Sequence, residues 1–134
     1  MIDEKYKYSA VTAKIIAFAF EVHKTLGNGF QEVIYQRALA IEMTDAGLNF
    51  EREKEMPVFY KQQPIGTRRA DFLVEGVVSV ELKAIIQLED VHLAQAINYL
   101  EAYSIEVGLL INFGSKSMQY KRVSNKNFKQ IRNQ

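Results

Sequence analysis

Apolar residues recur at Val11, Ile15, Phe18, Val22 and Leu26, the spacing of one face of a helix. The period predicts a helix over residues 9–26, with Ser9 as N-cap and Gly27-Asn28-Gly29 as the stop. A second helix is predicted over about residues 30–46, turning Val33, Ile34, Ala38, Ala40 and Ile41 inward and ending at Gly47. Residues 50–60 alternate charge and bulk, a strand, and Gln62, Gln63, Pro64 and Gly66 read as a turn region. Two short apolar strands follow, then a helix at about 89–103. The run EVGLLINF at 106–113 suits a strand covered on both faces, and a last strand is expected at about 118–123. The predicted order is α-α-β-β-β-α-β-β, one mixed α/β domain across residues 1–134 with a central mixed sheet and flanking helices.

The stretch RRADFLVEGVVSVELKA (residues 68–84) carries the most information. Glu81 and Lys83 lie two apart on a strand and share a face, while Val78, Val80 and Leu82 take the other, buried one. Asp71 joins Glu81 on one face only if cross-strand partners have an even residue-number sum. That requires an odd loop at Glu75-Gly76; three residues with Gly76 at positive φ satisfy it, and Phe72 and Val74 then face the core.

Composition bounds the picture. At 134 residues and 48% hydrophobic, the chain can bury one real core. It has no apolar run of membrane-spanning length, no signal-peptide stretch at its start and no cysteine, which excludes disulfides, thiol nucleophiles and zinc–thiolate sites. A cytoplasmic location is expected. Charge is uneven: residues 116–134 hold six basic side chains and no acid, whereas residues 1–115 hold 11 basic and 16 acidic ones. A basic C-terminal tail at about 124–134 could grip phosphates, or simply keep the chain soluble.

Two acids and a lysine on one sheet face can hold a divalent cation and polarise a phosphate, although surface charges on a wet sheet face look the same. Gln95 and Tyr99, at i and i+4, share a helical face, as phosphate-orienting groups or as a half-buried polar pair. Glu32 falls in the first turn of the second helix, one turn before Tyr35, where an acid also suits the helix dipole. His23, His92 and the Arg68-Arg69 pair have structural or solvated readings beside any catalytic one.

With these residues the chain resembles the GxxExxY family of the PD-(D/E)XK nuclease-like superfamily. The matching stretches are VHKTLGNGFQEVIYQRAL (22–39), ADFLVEGVVSVELKA (70–84), HLAQAINYL (92–100) and VGLLINFG (107–114). The one departure is Asn28, where the family usually has proline. The resemblance implies an acid–ExK site at Asp71, Glu81 and Lys83, with Glu32 and the Gln95/Tyr99 pair as the RecB-like additions. It implies Mg²⁺ or Mn²⁺ held by Asp71, Glu81, the Leu82 carbonyl and Glu32, with Lys83 orienting water or offsetting phosphorane charge. The expected activity is phosphodiester hydrolysis in nucleic acid, DNA rather than RNA, with a homodimer left open. The rival reading is a catalytically silent nuclease-fold protein that binds nucleic acid or a protein partner.

Overall fold

The structure is a computed structural model, and residues 8–128 are described. Its elements are α1 (Ser9–Leu26), α2 (Glu32–Asp45), β1 (Phe50–Arg52), β2 (Glu55–Tyr60), β3 (Gln63–Arg69), β4 (Phe72–Val74), β5 (Val78–Lys83), α3 (Asp90–Ala102), β6 (Val107–Asn112) and β7 (Gln119–Ser124). A five-stranded mixed sheet runs β1-β4-β5-β6-β7, parallel between β5 and β6 and antiparallel elsewhere, while β2 and β3 form a separate two-stranded arm. Val78, Val80, Leu82, Phe72 and Val74 lie buried with the inner residues of α1 and α2. On the opposite face Leu73 and Val123 pack with Ala96, Tyr99 and Leu100 of α3. All of β6 is buried, as a strand covered on both sides must be.

The hairpin parity holds. Phe72 pairs with Val80, Leu73 with Ser79 and Val74 with Val78, leaving a three-residue loop with Gly76 at φ 69°. Glu75 shares the left-handed region at φ 54°, and its carboxylate accepts the Asn49 N–H at 2.6 Å. The face of Glu81 and Lys83 is not simply wet, however, because α3 covers it and Ser79 is buried there.

Several expectations are corrected. Five strands precede α3, so the order is α-α-β-β-β-β-β-α-β-β. The strand expected over 50–60 breaks at Glu53, held at φ 54°, and the turn falls at Lys61 and Gln62, both at positive φ. Residues 63–66 are strand, since β3 lies in a two-stranded arm where Pro64 meets only its partner Phe59 beside a bulge. On α2, Val33 and Ile41 are 37% and 61% exposed, and the inner face is Tyr35, Gln36, Leu39, Ala40 and Met43. Ser9 starts α1 without capping it; the N-cap is Tyr8, with no side-chain cap hydrogen bond.

Local chemistry fixes the joints. Leu48 N–H reaches the Met43 carbonyl and Gly47 N–H that of Thr44, a Schellman ending at Gly47 φ 75°. Tyr35 donates to the Gly27 carbonyl at 2.6 Å, accepts from the Phe30 N–H, and stacks on Phe113 with centroids 4.6 Å apart. Asn112, fully buried, accepts from the Ile85 and Gly114 N–H groups and donates to the Ile85 carbonyl, so the chain leaving β5 is stitched to the end of β6. Of the expected tail, Ser124 closes β7 and Asn125 is buried with its amide on the Leu100 and Ile105 carbonyls; Lys129 and Arg132 lie outside the described residues. Among the described residues no helix is long and apolar enough to cross a membrane.

A Cβ at Gly114 would collide with the Ile85 nitrogen and the Ala84 carbonyl carbon, whereas one at Gly29 meets nothing. Gly114→Ala should therefore cost about 3 kcal/mol, the upper end of overpacking, because backbone cannot yield as a side chain does. Gly29→Ala should stay within about 1 kcal/mol of wild type. Urea denaturation checks both, and equal midpoints would refute the close approach.

Candidate active site

The even residues of β5 point their N–H and C=O groups towards β4 and the odd ones towards β6, as the Phe113 N–H bond to the Lys83 carbonyl confirms. Continued past Phe72, the β4–β5 ladder would pair Ala70 with Leu82. Instead Asp71 Oδ2 accepts the Leu82 N–H at 2.8 Å, while the Ala70 backbone hydrogen-bonds to the Tyr99 hydroxyl. A side chain has replaced a rung, and the two strands part there. The Leu82 carbonyl leaves the same strand edge as its N–H and so faces the opening.

Asp71 is held on its other oxygen as well. Gln36 Nε2 donates to Oδ1 at 2.8 Å, and Gln36 Oε1 accepts from Arg52 Nε at 3.0 Å. Gln36 is 3% exposed, a polar residue inside the α2 core face. That is its signal in the sequence: an amide at i−3 and i−4 from Leu39 and Ala40, where an apolar residue is expected. It was not among the candidates read from the sequence.

Glu81 is engaged from the other side. Arg68 Nη2 lies 3.5 Å from Glu81 Oε1 and donates to the Gln95 carbonyl at 2.6 Å; Arg68 Nη1 donates to Asn98 Oδ1, and the guanidinium lies 5.2 Å from the Tyr99 ring centroid. Arg68 thus turns inward, its charge spread between a carboxylate and a ring face. Tyr99 is buried beneath it, and Gln95 contributes its backbone carbonyl while its side chain is exposed. Lys83 has no hydrogen-bond or ion-pair partner among the described residues, yet it acts electrostatically on Glu32, Asp71 and Glu81 alike. Glu32, exposed in the first turn of α2, feels the charges of Asp71, Lys83 and Glu81, which puts it at the same end of the sheet as these three.

All three carboxyl groups are pushed above their ordinary pKa, and loss of hydration is the largest cause for each, although the exposed Glu32 is less enclosed than Asp71 and Glu81. For Asp71, burial outweighs two hydrogen bonds and the pull of Lys83; for Glu81 it outweighs Arg68 and Lys83. Mutual repulsion adds to these shifts but does not lead them. The Tyr99 phenol is raised too, by burial first and then by Tyr103 and Glu81. The two histidines stand apart: His23 Nε2 donates to the Ser115 carbonyl, and His92 Nδ1 accepts the Glu89 N–H in a capping box.

Among the described residues no set of three or more His, Asp or Glu side chains is gathered to hold a metal ion. A cation at Asp71 and Glu81 would need a main-chain oxygen, and the Leu82 carbonyl faces that opening. The oxygen-only donor set fits a hard ion such as Mg²⁺ or Mn²⁺, and carboxylates whose ionisation burial disfavours would gain by pairing with one.

The sequence model of the PD-(D/E)XK nuclease superfamily matches residues 9–123, from the start of α1 to within β7. The chain belongs to the PD-(D/E)XK nuclease superfamily. Among solved structures, the crystal structure of SSO0001 superposes with a TM-score of 0.54 at 17% identity, over 70% of this chain and 50% of that one. This chain therefore corresponds to half of that protein's length, and at this identity the likeness speaks for the fold. No curated protein matches.

The raised carboxyls set a pH dependence in metal-free protein. Below about pH 4 folded and unfolded chains are both protonated. As pH rises, the unfolded chain ionises first, so stability falls until the folded carboxyls have ionised too, and is then level. Glu81→Gln removes one contributor while keeping shape, so in EDTA it should melt higher than wild type at neutral pH and show a shallower decline from acid. Identical pH–melting curves would contradict the burial-driven shift at Glu81.

Proposed function

We propose that the protein is a Mg²⁺- or Mn²⁺-dependent nuclease of the GxxExxY type that hydrolyses phosphodiester bonds in nucleic acid, DNA rather than RNA. The observation that carries this reading is the fork: Asp71 caps the Leu82 N–H where β4 and β5 part, with Glu81 and Lys83 beside it. Asp71, Glu81 and the Leu82 carbonyl would hold the metal, with Glu32 as an outer carboxylate. When bound, the metal would lower the pKa of a water and offset charge on the phosphate.

The chain's own residues supply the rest. Lys83 holds the attacking water or steadies the charge that builds on the non-bridging oxygens. Water oxygen bonds to phosphorus and gives up a proton, one bridging P–O bond breaks, and the departing oxygen takes up a proton to leave as an alcohol. Gln36 and the Leu82 N–H fix the Asp71 carboxylate, so its orientation is set before substrate arrives. Tyr99 acts from below by supporting Arg68 and the Ala70 backbone, with Gln95 at the rim. The basic residues towards the C-terminus, Lys126 among them, would add salt-dependent grip on phosphates. The absence of cysteine is consistent with a cytoplasmic setting.

One observation favours the rival reading of a silent, binding-only protein: Arg68 already sits beside Glu81, a resident cation where a metal would be expected. Cleavage of labelled single- and double-stranded DNA and RNA in Mn²⁺ separates the two. Wild type should cut, EDTA should abolish cutting, and Lys83→Ala should lower the rate roughly a hundredfold or more while binding persists. Mn²⁺ should also raise the Tm of wild type but not of Asp71→Asn. No Mn²⁺-dependent cutting by wild type, or a Lys83→Ala variant as fast as wild type, would hand the case to the binding-only reading.

A further inference from the structure

The arm formed by β2 and β3 is unexplained by the site so far. It leans on the end of α3, where the Tyr103 hydroxyl hydrogen-bonds to the Pro57 carbonyl at 3.1 Å and approaches that of Met56 at 3.4 Å. Between arm and helix runs a cleft of about 250 Å³, lined by Phe59, Arg68, Asn98 and Tyr103 among others. Phe59 is 59% exposed, a large aromatic that the fold leaves uncovered at the mouth of this cleft. At the arm tip Tyr60 and Ile65 are exposed as well, and Lys61 Nζ lies 5.6 Å from the Tyr60 ring centroid.

The cleft is not an apolar slot. Beside Pro57, Val58 and Ala102 it offers two aromatic rings and the Arg68 guanidinium hydrogen-bonded to the exposed Asn98 side chain, a mixed lining that suits a flat base on a charged backbone better than an apolar helix. Its position narrows the choice further. Arg68 lines the cleft and also touches Glu81, so one side chain joins the cleft to the metal-binding carboxylates. A strand whose phosphate lies at Glu81 would run its next nucleotides past Arg68 and under the arm. A duplex is a poor occupant, because Tyr103 fastens the arm to α3 and so limits how far the cleft can open.

We infer that the cleft between the β2–β3 arm and α3 is a binding track for single-stranded nucleic acid, with Phe59 as a base-stacking platform and Arg68 guiding the strand to the Asp71/Glu81 site. The inference rests on the nuclease reading for its direction, since it takes the strand to those carboxylates. It deepens that reading by naming unpaired strands as the substrate class.

Binding can be tested apart from cutting, with full-length protein in EDTA and a short fluorescein-labelled single-stranded DNA of mixed sequence. Phe59→Ala should weaken binding about tenfold or more, the loss expected for one stacked base, while Phe59→Tyr stays near wild type. The chain has no tryptophan, so Phe59→Trp creates a sole indole, and its emission should be quenched as the strand binds. A blunt duplex of the same sequence should bind more weakly and quench less. Unchanged affinity in Phe59→Ala, an unquenched indole at saturating strand, or tighter binding of the duplex would each overturn the track. A Phe59→Ala variant that alters the oligomeric state in light scattering, but not strand affinity, would reassign the arm to contact between copies and also overturn it. If Phe59→Ala loses strand binding while wild type never cuts in Mn²⁺, the nuclease reading fails and the track stands.

Discussion

The hydrogen bond from the Leu82 N–H to the Asp71 carboxylate is the constraint on which the rest of the site depends. Antiparallel strands in register bury their polar groups in one another, and a strand edge that stops short leaves donors and acceptors open. By giving the Leu82 N–H a side-chain acceptor, Asp71 lets β4 and β5 separate without stranding that donor. The same separation exposes the Leu82 carbonyl and brings Glu81 and Lys83 to the rim of the sheet. A continued ladder would have been the more stable sheet and would have had no opening. The fork also explains why the arm exists as a second sheet: residues 63–69 can no longer pair with β5, and they turn back on β2 instead.

Placing acids in that fork costs stability, and the neighbours show how the cost is limited. A buried carboxylate loses hydration that only hydrogen bonds or opposite charge can replace. Asp71 has two donors, Glu81 has a long contact to Arg68, and Glu32 stays near solvent. Loss of hydration still leads every shift, so hydrogen bonds and opposite charge do not fully compensate the three acids. A fully compensated set of salt bridges would have been stable but closed to further ligands. The weak 3.5 Å contact of Arg68 is therefore informative. Arg68 is held more firmly by the Gln95 carbonyl, at 2.6 Å, than by Glu81, so it can offset the Glu81 charge without claiming the carboxylate.

Much of this was legible in the sequence. The parity of the hairpin followed from the two-residue period of a strand, and the three-residue loop with Gly76 at positive φ came with it. The buried set of β4 and β5 and the continuous burial of β6 were legible for the same reason: local pattern and tertiary burial agree there. The α2 face was misread because Val33 and Ile41 look apolar in the chain while the protein buries Gln36. No periodicity rule selects an amide for a core position; its value lies in an acid 35 residues away. The arm was missed for a related reason. Pro64 and Gly66 signal turns wherever a strand must pair on both edges, and only the tertiary arrangement leaves β3 with one partner.

The arrangement around β5 also accounts for how one short strand can serve the core and still carry the side chains of the proposed site. Its even side chains are locked against α1 and α2, and its odd backbone groups are locked to β6 up to the Phe113–Lys83 bond. Just beyond, Asn112 satisfies the Ile85 backbone from within the core, and Gly114 lets the two chains approach more closely than a Cβ would permit. Lys83 is thus the last residue of a strand fixed on three sides, with its ammonium alone left without a partner among the described residues. Rotamer freedom remains in that side chain, but its root cannot move. A group that must meet charge developing on a phosphate gains most when its attachment is rigid and its head is unclaimed, and position 83 meets both conditions.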